Sequence, residues 1–91
     1  MEKDLNSLLS LVLLKEGKRY VAYFPALDLS TSGNTAVEAK KRAVEAARIF
    51  FQEIEEKGTA KEILSELGWE RKQKIWREPV IKHDSVRVAV A

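Results

Sequence analysis

The sequence predicts an α+β fold: a small antiparallel sheet with one long and one short helix on one face, in the order β-β-β-α-α-β. Three observations carry this. Two β-rich apolar stretches, residues 5–15 and 19–24, flank the turn-forming Glu16-Gly17-Lys18. Residues 36–57 then show helical periodicity, and a shorter helical pattern follows. Strict alternation returns at residues 85–90, Ser-Val-Arg-Val-Ala-Val. Ninety-one residues fit one domain over 1–91, large enough to bury roughly 60–70% of the surface its unfolded chain exposes.

In the first strand Leu9, Leu11 and Leu13 fall on one face, and Leu8, Ser10, Val12 and Leu14 on the other. A two-residue turn brings Leu9, Leu11 and Leu13 onto the face of Tyr20, Ala22 and Phe24; one more loop residue reverses that match. Both faces carry large apolar groups, yet the chain has helix enough for one face only. Either a few leucines are simply exposed, or the second face meets another chain. The balance leans to association.

Pro25 cannot donate to a ladder and so ends the second strand. Residues 29–32 form a short third strand before Gly33-Asn34 turns into the helix. Thr35 and Glu38 stand at capping-box spacing, so each side chain can take a backbone N–H of the first helical turn. Ala36, Ala43, Ala47, Phe50 and Ile54 recur at helical spacing, with Val37, Val44 and Phe51 widening the stripe. Lys41, Arg42, Glu45, Arg48, Glu53 and Glu56 mark the solvent face, with Glu38–Arg42 and Lys41–Glu45 as i,i+4 partners. Gly58 is placed as the left-handed C-cap. Thr59 and Glu62 repeat the capping-box spacing and open a helix presenting Ile63, Leu64 and Leu67, which Gly68 stops. Trp69 is placed to fold back on its last turn. Residues 70–84 lack a clear period and read as a connection, with Trp76 anchored on the core. The final strand is expected to pair in the sheet with the first hairpin.

Composition excludes several chemistries. With no cysteine there is neither a disulfide nor a thiolate ligand or nucleophile. The longest apolar run, residues 11–14, is far below the roughly 20 residues a membrane span needs, and Met-Glu-Lys-Asp at the start is no secretion pattern. A cytoplasmic protein without a membrane partner is expected. Sixteen Lys and Arg against 14 Asp and Glu give +2. Up to Trp69 there are 10 basic and 11 acidic residues, −1; beyond it 6 and 3, +3.

Catalytic groups are sparse. His83 is the sole histidine, and a Ser-His-Asp set would need it with Asp84 and Ser30, Ser32 or Ser85; neighbours on an extended segment point apart. Asp4, Asp28 and Asp84 are scattered, so neither metal nor other cofactor is expected, and no Gly-rich phosphate loop is present. The chain is therefore read as a non-enzyme. Asp28 and Ser32 are read mainly as turn residues holding local backbone groups. Arg71-Lys72-Gln73-Lys74-Ile75-Trp76-Arg77 interleaves basic and aromatic residues, which can contact phosphates and stack a base. Arg71, Lys72, Lys74 and Arg77 are accordingly the nucleic-acid contacts of an alternative reading.

The order of elements, the run from Tyr20 through Phe24 into Pro25-Ala-Leu-Asp-Leu-Ser-Thr-Ser-Gly-Asn-Thr35, and the following Glu38-Ala39 resemble the HicB family of antitoxins. The ending Leu67-Gly68-Trp69 is similar too. The resemblance rests on residues 18–69 and implies a HicB-like partial RNase H fold. Its loop motif here is Pro25, Leu27, Asp28, Ser32, Gly33, Thr35 and Glu38, mainly structural residues. It further implies a binding protein that occludes the active site of a HicA-like mRNA-cleaving toxin, and a homo-oligomer, dimer or tetramer. Ala26 stands where the family usually has an acid and Asn34 where it has Asp. No separate C-terminal DNA-binding domain is expected, in contrast to many relatives. A basic toxin would be met by local acids, and Glu45, Glu53, Glu55 and Glu56 are the candidates.

Overall fold

The structure, a computed structural model, describes residues 8–90. It is α+β, with seven elements: β1 (Val12–Glu16), β2 (Arg19–Phe24), β3 (Leu29–Gly33), α1 (Ala36–Glu56), α2 (Ala60–Glu66), β4 (Glu70–Lys72) and β5 (Ile75–Arg77). β1, β2 and β3 form an antiparallel sheet in that order, leaving β1 and β3 as edges; β4 and β5 form a separate hairpin.

Glu16 pairs with Arg19, so the first turn holds two residues, with Gly17 at φ +62°. That register sets Leu13 opposite Ala22 and gives the predicted match of Leu13 with Tyr20, Ala22 and Phe24 on one face. The strand is shorter than expected: residues 8–11 lie outside β1, and residues 5–7 of the predicted strand lie outside the described residues. The pairing itself gives the reason. Continuing the ladder from Val12–Tyr23 would set Ser10 against Pro25, which has no N–H to donate. Leu9 and Leu11 instead pack on the edge of the core.

The helix start is built on Gly33. A Cβ there would sit 2.8 Å from the Ala39 backbone nitrogen, so only glycine lets β3 pass this close under the first turn. Thr35 Oγ1 accepts the Glu38 N–H at 3.0 Å, and Glu38 Oε1 accepts the Asn34 N–H at 2.6 Å. The cap is reciprocal as predicted, but Glu38 reaches one residue further back than in the usual box.

α1 lies over β2 and β3. Ala39, Ala43, Ala47 and Ile54 are its buried residues, and the small alanines permit a close approach to the sheet. Val37 and Val44, predicted to widen this stripe, are exposed. Each sits one residue past Ala36 or Ala43, hence rotated about 100° out of a contact that a three-stranded sheet keeps narrow.

Both helices end in the same motif. After α1 the Gly58 N–H donates to Glu55 O and the Thr59 N–H to Ile54 O; after α2 the Gly68 N–H donates to Ser65 O and the Trp69 N–H to Leu64 O. These are Schellman bonds, with glycine in the left-handed region at φ +69° and +92°. The second predicted capping box does not form. The Thr59 hydroxyl, 3.4 Å from Ile54 O, donates back to α1 and caps nothing in α2. The preceding Schellman turn has already fixed Thr59, and its backbone is not the extended one an N-cap adopts.

Trp69 does fold back. It is buried beside Leu64, meets Phe51 edge-on at 5.9 Å, and its Nε1–H donates to the Ala26 carbonyl at 2.9 Å. One side chain thus joins the end of α2, the C-terminal part of α1 and the β2–β3 loop.

The C-terminal third departs from expectation. Residues 70–77, read as a connection, form the β4–β5 hairpin around Gln73 and Lys74, both at positive φ, as a type I′ turn requires. Trp76 is half-buried against the core, as predicted. Residues 85–90 form no strand and make no ladder with the sheet.

Candidate interaction surfaces

The β2–β3 loop is a four-residue connection, Pro25 to Asp28, closing the Phe24–Leu29 pair. The Leu27 N–H donates to Phe24 O and the Asp28 N–H to Pro25 O. Ala26 and Leu27 are buried, and Asp28 takes the left-handed conformation at φ 51°, which Asp tolerates better than most residues. Its carboxylate accepts the Tyr23 hydroxyl at 3.0 Å. That hydrogen bond, with a little burial and the carboxylate's charge, raises the Tyr23 pKa above its ordinary value.

Ser32 is also held within the molecule. Its Oγ accepts from Arg19 Nη2 at 2.9 Å, while Arg19 Nη1 donates to Asn34 Oδ1 at 3.2 Å. Arg42 reaches from α1 to the Ser32 carbonyl at 3.0 Å and pairs with Glu38 at 3.5 Å. The motif residues fall in two groups at the two ends of β3, Pro25, Leu27 and Asp28 in the loop before it and Ser32, Gly33, Thr35 and Glu38 at the turn into α1; Thr35 and Glu38 bond each other, while Asp28 is held by Tyr23 and Ser32 by Arg19. Sequence reasoning missed Arg19 and Tyr23 as their partners, and of Arg42 it gave the pair with Glu38 but not the bond to the Ser32 carbonyl. The strand register carries the signal, since it puts Val21 beside Ser32 and Tyr23 beside Ser30 on one face.

That face is the side of the sheet away from α1. The pairs Val12–Tyr23 and Leu14–Val21 place four apolar or aromatic side chains together there, bordered by Arg19, Ser30, Ser32 and Asp28. Leu14 is exposed and the other three are half-buried. The predicted doubly apolar hairpin is thus present, with an apolar centre and a hydrogen-bonded polar rim.

The four acidic candidates on α1 are all exposed but do not form one cluster. At 100° per residue, Glu45, Glu53 and Glu56 fall within an arc of about 80°, whereas Glu55 lies about 80° to the other side of Glu45. Lys41, Arg42 and Arg48 are interspersed with them. A shallow depression of about 330 Å³ lies on this face, lined by Lys41, Arg42, Glu45, Ala46 and Ile49. Gln52 donates to Glu56 at 3.2 Å, and of the two predicted i,i+4 pairs only Glu38–Arg42 is made among the described residues.

The basic segment is divided by its hairpin. Arg71 stands opposite Trp76 on one face, its guanidinium 5.9 Å from the ring; Lys72 and Arg77 lie on the other with Glu70 and Ile75, and Lys74 occupies the turn. Trp76 faces the core and Arg71, so its ring is not presented for stacking a base.

His83 is exposed, and the Asp84 carboxylate accepts the Ser85 N–H at 2.7 Å. Among the described residues no group of three or more His, Cys, Asp and Glu side chains could hold a metal ion. No helix among them is long and apolar enough to cross a membrane. Compared with known proteins, the chain matches no family model, no curated protein and no solved structure.

Proposed function

We propose that the chain is a HicB-like antitoxin: a cytoplasmic binding protein, without catalytic activity of its own, that occludes the active site of a HicA-like mRNA-cleaving toxin. One observation carries this reading. The motif from Pro25 to Glu38 is consumed in holding its own loop, while the two surfaces it positions, the open sheet face and the outer side of α1, are left facing solvent. Polar residues spent on scaffolding fit a protein that presents surfaces rather than one that transforms a small substrate.

The toxin side is assigned to Glu45, Glu53 and Glu56, whose shared arc offers negative charge to a basic nuclease. Self-association is assigned to the first hairpin, where apolar groups stand on both faces. The alternative, nucleic-acid binding through Arg71, Lys72, Lys74 and Arg77, gains no support from a hairpin that parts these residues and turns Trp76 inward.

Co-expression with a HicA-like toxin tests the reading. A stable complex and relief of toxicity are expected, with Glu45→Lys/Glu56→Lys weakening the complex and steepening toxicity. Absence of binding between the purified proteins at micromolar concentration overturns it.

A further inference from the structure

Two features of the single chain are each left incomplete, and they complement one another. The first is the segment 85–90. Val86, Val88 and Val90 alternate with Ser85, Arg87 and Ala89, the pattern of a strand with one apolar face, yet they are 78%, 67% and 85% exposed and have no strand partner among the described residues. The second is β1. It is an edge strand, and its side chains Leu13 and Leu14 are 43% and 46% exposed, one on each face. α1 lies over β2 and β3, so the helix-side flank of β1 remains open. An exposed apolar edge is a template for strand addition unless something blocks it.

We propose that residues 85–90 of one copy add as an antiparallel strand to the β1 edge of a second copy, and that the exchange is reciprocal. The inference rests on the self-association part of the function proposed above and is independent of the toxin. The root of the arm lies where such an exchange needs it. Ile81 is half-buried on the core, and the Ser10 N–H donates to Glu78 Oε1 at 3.5 Å, so the chain leaves the body beside the start of β1. Two copies meeting along their β1 edges therefore bring each arm to the other's open edge. The two contacts are identical, and the assembly closes as a two-fold dimer instead of growing into a filament.

Charge and pattern select a register. Setting Asp84 opposite Lys15 places Val86 against Leu13, Val88 against Leu11 and Val90 against Leu9. Leu13 lies in β1, whereas Leu9 and Leu11 precede it and pack on the edge of the core, so the added strand carries the ladder past Val12 and all three valines extend the helix-side face. Ser85 and Arg87 fall on the opposite face, beside Leu14 and Val12. A slip by one residue would turn the valines outward and set Asp84 beside Glu16 or Leu14.

The absence of cysteine makes the test direct. Leu13→Cys and Val86→Cys variants are purified separately, mixed and oxidised. The expected product is a disulfide-linked heterodimer, with a wild-type dimer in light scattering at about 10 μM and association at least about tenfold weaker for Val86→Lys/Val88→Lys. These arm residues are exposed, so the variants retain the fold, which circular dichroism verifies. A wild-type protein that stays monomeric up to about 100 μM overturns the inference together with the self-association reading. A dimer whose mixture gives no heterodimer, while the Leu13→Cys/Val86→Cys double variant closes within one chain, overturns the arm exchange alone. An arm that becomes protected only when a HicA-like partner is added also overturns it. Toxin binding by a chain truncated after Lys82 separates this inference from the antitoxin reading.

Discussion

Replacing Trp69 by Phe tests whether one side chain locks the motif loop to the helices. Trp69 is 7% exposed, and its Nε1–H donates to the carbonyl of Ala26, a residue with no exposed surface. Phe keeps an aromatic ring next to Phe51 but removes the donor. Leaving a buried carbonyl without its partner costs about 1–3 kcal/mol, and the smaller ring adds about 1 kcal/mol of lost packing. The expected loss is thus about 2–4 kcal/mol, against a total of roughly 5–14 kcal/mol for a domain of this size. Urea unfolding followed by far-UV circular dichroism measures it, with an unchanged m value showing that the same surface is exposed. Each kcal/mol should also lower Tm by about 4–8 °C. A loss below about 0.5 kcal/mol with normal cooperativity would refute the reasoning, because the loop would then be held without Trp69.

Three further perturbations probe the local chemistry. Thr35→Ala should cost about 1 kcal/mol by removing the cap of α1, while Thr59→Ala should cost under about 0.5 kcal/mol, since its hydroxyl caps nothing in α2 and makes only a long bond to Ile54 O, which the Thr59 N–H already serves; equal losses in urea unfolding would contradict the asymmetry. Gly33→Ala should destabilise by about 2 kcal/mol or more, because the added methyl meets backbone that cannot yield, and a neutral result would show that β3 and α1 are less closely apposed. The Tyr23 phenol, its pKa raised by Asp28, holds its proton more tightly folded than unfolded. Its contribution to stability is complete below the unfolded value near 10.0 and is lost as pH rises through the raised folded value. In a Tyr20→Phe background, Asp28→Asn should therefore shift the tyrosinate absorbance transition to lower pH, and an unmoved midpoint would exclude the hydrogen bond.

Thr35-x-x-Glu38 and Thr59-x-x-Glu62 show what sequence spacing can and cannot determine. Both have the same residues at the same separation, and only the first forms a cap. The difference lies upstream. Thr35 follows an extended strand and is free to take the backbone an N-cap needs, at φ −135° and ψ 162°. Thr59 is the third residue beyond α1, and the Schellman bond from its N–H to Ile54 O sets its backbone first. The glycine ending α1 was legible; that it would overrule the next helix's cap was not, because two local signals competed for one residue. Helix burial follows the same rule. Ala43, Ala47 and Ile54 could be read as core from their period, but the width of the buried stripe depends on how many strands lie beneath it.

Strand pairing is where local pattern carries least. Residues 70–77 escaped notice because Gln73-Lys74 lacks the Gly or Asn that usually marks a two-residue turn, although both residues adopt the positive φ such a turn demands. Residues 85–90 present the opposite case, a strong alternation without a strand. Alternation reports only that one face prefers burial; whether a ladder forms depends on a free edge within reach. β2 is flanked on both sides by its hairpin partners, which leaves β1 and β3 as edges, and of these it is β1 whose start lies beside the arm's root through the Ser10–Glu78 bond. The first hairpin and the arm thus pose one question, since the exposed Leu13 and the half-buried Leu9 and Leu11 are the side chains the valines would meet. Covering β1 from a second copy satisfies both excesses at once, which is why the doubly apolar hairpin and the unpaired terminal strand belong to a single explanation.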